Sequence, residues 1–194
     1  MAEPSVSPAE ELRFTYRDYC DWDDGQRWEL IDGIARAMSP APSMPHQSLV
    51  TALTAQLHAK LQGTPCKVLV APLDVRLPEA SEDDDAVTTV VQPDILVVCD
   101  QSKLDDRGCR GAPDFVVEVL SRSTAAHDQI IKRDLYERHG VREYWLVHPI
   151  DQIVTVYRLG SNGRYERPLV QQTTGVLTVA SAEGIEIDWE QALG

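Results

Sequence analysis

Two carboxylates and a lysine stand out between Val91 and Tyr144. Asp94 lies in VQPDILVV and Glu118 in GAPDFVVEVLS, each within a run of β-branched and aliphatic residues that reads as a buried or half-buried strand. An ionised carboxylate in such a place is costly without a partner. Two of them on neighbouring strands could share a divalent cation. Lys132 follows in STAAHDQIIKRDLYERHG, on a predicted helix that could bring an ammonium to the same spot. Magnesium suits such a site, because it binds hard oxygen ligands through one or two carboxylates and fills its shell with water and phosphate; manganese can substitute. The chemistry would be metal-assisted phosphodiester hydrolysis, in which the ion makes a bound water nucleophilic and Lys132 offsets charge building at phosphorus.

Two further residues could join them. Glu29 sits in RWELIDGIARAMS, where Asp32-Gly33 between short alternating runs signals a hairpin. It is either a solvent-facing strand position, since alternation requires a polar face, or a functional carboxylate. His46 opens HQSLVTALTAQLHAKLQG, a helix by the spacing of Leu49, Val50, Leu53, Leu57 and Leu61, with Gly63 as its stop. Its place on the apolar stripe makes it either a packing residue or a functional one.

The remaining elements must position these groups. Thr15 is placed to cap a short helix through Trp22, and CKVLVAPLDVRLP reads as one strand or a bent pair. The acidic run in PEASEDDDAVTT lacks the spacing of a calcium loop and is expected as a solvated hairpin tip. VVQPDILVV and PDFVVEVL read as central strands covered on both faces. Ser123 or Thr124 is predicted to cap a helix running to His139, on which Asp128, Lys132 and Tyr136 share a face. VREYWLVHP gives another strand, TVYRL and RYERPLV a second hairpin, and IEIDWEQALG a strand followed by a helical turn. The expected fold class is α/β (mixed α+β), with a mixed β-sheet flanked by helices plus β-hairpins.

With 194 residues, the chain is read as a flexible Pro-, Ser- and Glu-rich leader over 1–13 and a single domain over 14–194. No apolar run approaches the roughly 20 residues of a membrane span, and MAEPSVSPAEE has no apolar signal core, so a cytoplasmic location is expected. Cys20, Cys66, Cys99 and Cys109 form no C-x-x-C pair and are expected as reduced structural thiols. A net charge of −13 argues against a generic nucleic-acid coat. The segment from Lys103 to Arg142 is the exception, with eight basic and seven acidic residues. The sequence contains no glycine-rich phosphate loop, nucleophile elbow or internal repeat.

Taken in order, WELIDG, PHQ, QPDILVV, GAPDFVVEVLS, the D-x-x-x-K-x-x-x-Y helix and GVREYWLVHP resemble the Uma-two family of restriction-endonuclease-like proteins, within the PD-(D/E)XK nuclease superfamily. The resemblance covers Thr15 to Leu159. It implies a restriction-endonuclease-like core and a magnesium-dependent endonuclease acting on DNA, with paired nicks favouring a homodimer. Residue by residue, it implies Asp94 and Glu118 as metal ligands, Glu29 as an outer metal ligand, Lys132 as the charge-stabilising lysine and His46 as the family's histidine. The chain departs from the superfamily pattern at Leu120, where a lysine is expected two residues after Glu118; the family supplies that lysine from the following helix, which matches Lys132. It also has Arg122 where the family often has Pro, and His148 where it often has Asp. Two alternatives stand beside an endonuclease: a catalytically silent nuclease-fold binding module, and a hydrolase of small phosphorylated substrates.

Overall fold

The computed structural model describes residues 12–38, 41–121, 127–182 and 184–193. The chain opens with α1 (Tyr16–Cys20), whose N-terminus is closed by a capping box between Thr15 and Asp18; it ends two residues short of Trp22. Strands β1 (Trp28–Ile31) and β2 (Ile34–Ala37) form the expected hairpin. Asp32 and Gly33 both adopt positive φ at its turn (52° and 80°), which is why this dipeptide stands there. Helix α2 (Met44–Lys60) buries His46, Leu49, Leu53 and Leu57 along one stripe.

The run CKVLVAPLDVRLP is a bent pair, β3 (Lys67–Val70) and β4 (Val75–Arg76), and VVQPDILVV is likewise divided into β5 (Val90–Val91) and β6 (Ile95–Val98). The divisions matter because the halves lie in different sheets. Next come β7 (Leu104–Asp105), β8 (Gly108–Arg110) and β9 (Phe115–Val119). A π-helix over His127–Lys132 continues directly into α3 (Arg133–His139), which Gly140 ends in the left-handed conformation. The expected caps Ser123 and Thr124, like Arg122, lie outside the described residues, as does most of the leader. The chain closes with β10 (Glu143–His148), β11 (Ile153–Arg158), β12 (Leu169–Gln172), β13 (Val176–Val179), β14 (Ile185–Asp188) and α4 (Trp189–Leu193).

The expected mixed sheet has the order β12-β11-β10-β9-β6-β3, with β9 and β10 parallel and the other pairs antiparallel. A second mixed sheet, β2-β1-β5-β4-β8-β7, stands beside it, and β13-β14 form a separate pair. The first sheet is covered on both faces, and the period of two sorts its side chains. Ile95, Val97, Phe115, Val117, Val119 and Trp145 pack toward α2 and the C-terminal β13-β14-α4 unit. Leu96, Val98, Val116, Tyr144 and Leu146 pack toward the second sheet and α3, against Val75, Val91, Leu135 and Tyr136.

Three expectations are corrected. Cys66 and Cys99 are joined in a disulfide, not held as free thiols; the β3–β6 register pairs Lys67 with Val98 and so sets the two cysteines opposite each other. The acidic run is not a solvated tip, because Asp84 and Asp85 bind Arg17, Arg76, Arg107 and Arg110, and the Arg76 side chain is fully buried. The second hairpin forms, with Thr155 opposite Val170 and Val156 opposite Leu169, but its second arm is shorter than expected: RYERPLV enters its strand only at Leu169, after a single bridge from Leu159 to Tyr165.

Candidate active site

Alternation on two strands aims two carboxylates into the layer between the sheets. On β9, Glu118 shares the face of Val116, opposite Phe115, Val117 and Val119. On β1, Glu29 shares the face of Ile31, while Leu30 turns to the α1 side. The β1 position is therefore buried and not solvent-facing, with Glu29 4% exposed. The π-helix crosses this layer and delivers Lys132, also 4% exposed. Its Nζ lies 2.9 Å from Glu29 Oε1, 2.9 Å from Glu118 Oε1 and 3.7 Å from Asp128 Oδ1. Tyr136, one turn on, donates its hydroxyl to Glu118 Oε1 at 3.1 Å. Leu120, where the superfamily pattern calls for lysine, packs in the apolar layer, and the ammonium arrives instead from the helix.

Asp94 occupies the bend where the chain leaves β5 in one sheet and enters β6 in the other. Its Oδ2 accepts the Val119 N–H (2.8 Å) and lies 3.1 Å from His46 Nε2. In return, the Asp94 N–H donates to Glu118 Oε2 at 3.3 Å, so the two carboxylates are locked together through backbone amides. The Asp94 side chain is 21% exposed and forms one end of a groove of about 430 Å³ along α2, lined also by Gln47, Val50, Thr54, Ala55 and Val70.

All five sequence-derived candidates thus converge: Asp94, Glu118 and Lys132 at the centre, Glu29 behind the lysine and His46 behind Asp94. The sequence reading left out Asp128, although its four-residue spacing from Lys132 and Tyr136 was visible. It also left out His127, whose Nε2 lies 3.5 Å from Glu29 Oε2, and Gln92, whose backbone N–H donates to Glu29 Oε1 at 3.0 Å. Neither carries a spacing signal, because both contacts are made across the fold.

The electrostatics are lopsided. Glu29, Glu118 and Asp128 face Lys132 with their charges withdrawn from water, where each counts for more, while Asp94, 21% exposed, faces His46. Burial pushes the Glu29 carboxyl up, but Lys132, His127 and the Gln92 N–H outweigh it and hold the group at about 2. For Glu118, burial dominates; Lys132 opposes it, but Asp128, Asp94 and Glu29 add repulsion, and its carboxyl is raised well above 4.5. Burial lowers the Lys132 ammonium, yet Glu118, Glu29 and Asp128 more than reverse this and keep it charged far above its ordinary range. Among the described residues, Lys132 is thus the one lysine or arginine on Glu29 and Glu118, and burial with the neighbouring carboxylates favours a proton or a further cation at Glu118. Hard carboxylate oxygens so placed fit a divalent ion held by Asp94 and Glu118.

Residues 15–190 match the model of the Uma2 family, described as "Putative restriction endonuclease". The chain belongs to the Uma2 family. A Synechocystis relative, the uncharacterized protein slr1290, is 27% identical over 163 residues, covering 82% of this Uma2 chain and 77% of the relative. A crystal structure from Anabaena variabilis, described as a putative nuclease belonging to DUF820, superposes with a TM-score of 0.72 at 17% identity, over 93% of this chain and 97% of that one. The Uma2 chain therefore has the restriction-endonuclease-like fold, with mixed sheets and few helices. No helix among the described residues is long and apolar enough to cross a membrane.

Proposed function

We propose that this protein is a metal-dependent endonuclease that hydrolyses phosphodiester bonds of DNA, with Asp94 and Glu118 as the ligands of a magnesium ion. The observation that carries this reading is the buried cluster of Glu29 and Glu118 on Lys132, joined to Asp94, where it opens to the surface. The bound ion would polarise a phosphoryl oxygen and lower the pKa of a water to near neutrality.

The chain's own residues do the rest. Glu118 and Asp94, locked together through backbone amides, would hold the ion between their carboxylates. His46 orients the Asp94 carboxylate through Oδ2. Lys132 holds an ammonium beside Glu118, where it stabilises negative charge gathering on the phosphoryl oxygens. Glu29, expected as an outer metal ligand, also anchors the lysine on this reading, since Lys132 and the Gln92 N–H engage its Oε1.

One observation favours the silent binding module. Among the described residues, no three His, Cys, Asp or Glu side chains already stand as a metal cage. Cleavage of a DNA substrate in magnesium or manganese separates the two readings. The active reading expects cleavage by the wild type and a loss of at least about 100-fold in both Asp94→Asn and Lys132→Met, each shown to be folded by circular dichroism. Unchanged rates in the folded variants would overturn it.

A further inference from the structure

We infer that the groove beside Asp94 seats an unpaired nucleoside next to the scissile phosphate, so that the preferred substrate is a single strand. This rests on the phosphodiesterase reading of the site and adds to it the state of the nucleic acid. Asp94 belongs to both the carboxylate cluster and the groove, so a phosphodiester brought to Asp94 must send one flanking nucleoside along α2.

The lining decides which part of the nucleotide that is. Val50, Ala55 and Val70 make apolar walls, and Val70 is 40% exposed although it is a strand residue. Thr51 and Thr54 spend their hydroxyl protons on Gln47 O (2.8 Å) and Val50 O (2.7 Å) of their own helix, leaving methyl groups and acceptor lone pairs. Gln47, at the Asp94 end of the helix, carries an amide able to donate to and accept from a base edge. No lysine or arginine lines the groove; its titratable side chains are Asp94 and His58, whose Nε2 is engaged by Gln62 at 2.9 Å, so the lining favours a neutral base and sugar over a second phosphate. At about 430 Å³ the space lies within the range of small-molecule sites and holds one nucleoside. A base that is paired and stacked in a duplex cannot enter it without being unpaired.

The surface charge agrees. Arg107 and Arg110 are paired with Asp84, Arg138 with Asp32, Arg142 with Asp114 and Arg164 with Glu137. On a chain of net charge −13, these arginines are engaged within the fold, whereas tracking a duplex backbone requires cations facing the phosphates. Recognition through one seated base avoids that requirement.

The test is fluorescence anisotropy with a short fluorescein-labelled single strand and the same sequence folded as a hairpin duplex. Both are titrated with Lys132→Met protein in manganese; this variant is disarmed, keeps both proposed metal ligands and leaves the groove lining unchanged. The expected result is binding of the single strand at least about tenfold tighter than the duplex. Adding Ala55→Trp, at an exposed position of α2, should fill the groove and remove at least about tenfold of that affinity. Thr51→Trp, from the same wall, should do likewise. Equal or tighter binding of the duplex, no binding of the single strand, or no effect of the folded tryptophan variants would overturn the inference. Single-strand binding without cleavage by the wild type would leave the groove assignment standing and contradict the endonuclease reading alone.

Discussion

Glu29 and Glu118 lie on the same ammonium at the same distance, yet they are pushed in opposite directions, and that asymmetry divides their work. Glu29 remains ionised and binds Lys132, while burial and the neighbouring carboxylates favour the protonated form of Glu118. Because the folded state holds Glu29 at about 2 against an ordinary 4.5, its contribution to stability is fully present above 4.5 and lost as pH falls through about 2. In metal-free buffer near neutrality, Glu29→Gln should therefore lower stability by about 3 kcal/mol, since it weakens a buried pair. The gap from wild type should close as acid unfolding is followed from pH 4.5 down to 2; a gap independent of pH would show that Glu29 acts by packing alone. His46 works on Asp94 in the same indirect way. Manganese affinity measured by calorimetry should fall about 10- to 100-fold in His46→Ala, the usual cost of losing the partner that orients a metal ligand, and an unchanged affinity would return His46 to the role of a packing residue.

At the scale of elements, the site depends on where the chain changes sheets. Asp94 was legible because it precedes an apolar run, Glu118 because it interrupts one, and Lys132 because its helix carries a face of Asp128, Lys132 and Tyr136. The passage of VVQPDILVV from the second sheet into the first was not legible, since a continuous apolar run looks the same whether or not it bends. The Cys66–Cys99 disulfide and the arginine partners of the acidic loop were hidden for a related reason: each contact joins segments whose register only the assembled sheets determine. Glu29 was ambiguous because alternation gives a strand two faces without saying which is buried. The second sheet also has a fixed point the sequence does not announce. Gly108 has φ of 119°, and a Cβ there would stand 2.3 Å from the Asp74 carbonyl oxygen, which accepts the Cys109 N–H. Asp74 in turn takes hydrogen bonds from Tyr19 and Gln92, the residue whose amide holds Glu29. Gly108→Ala should therefore destabilise the protein by about 2–4 kcal/mol in urea unfolding; a loss below about 0.5 kcal/mol, the range of ordinary surface changes, would show that the loop relaxes freely.

For the molecule as a whole, an acidic surface and a nuclease fold are compatible if the substrate is held at one place and not along a track. The placement of the carboxylates and the pairing of arginines outside the site point the same way: on the proposed reading, the cation that attracts phosphate would be one held by Asp94 and Glu118. The most direct test of that claim is calorimetric titration of manganese into the wild type and into Asp94→Ala/Glu118→Ala, with a short single strand present so that phosphate can complete the ion's shell. Saturable binding to the wild type that vanishes in the folded double variant is the expected result. No binding to the wild type, or equal binding to both proteins, would contradict the account.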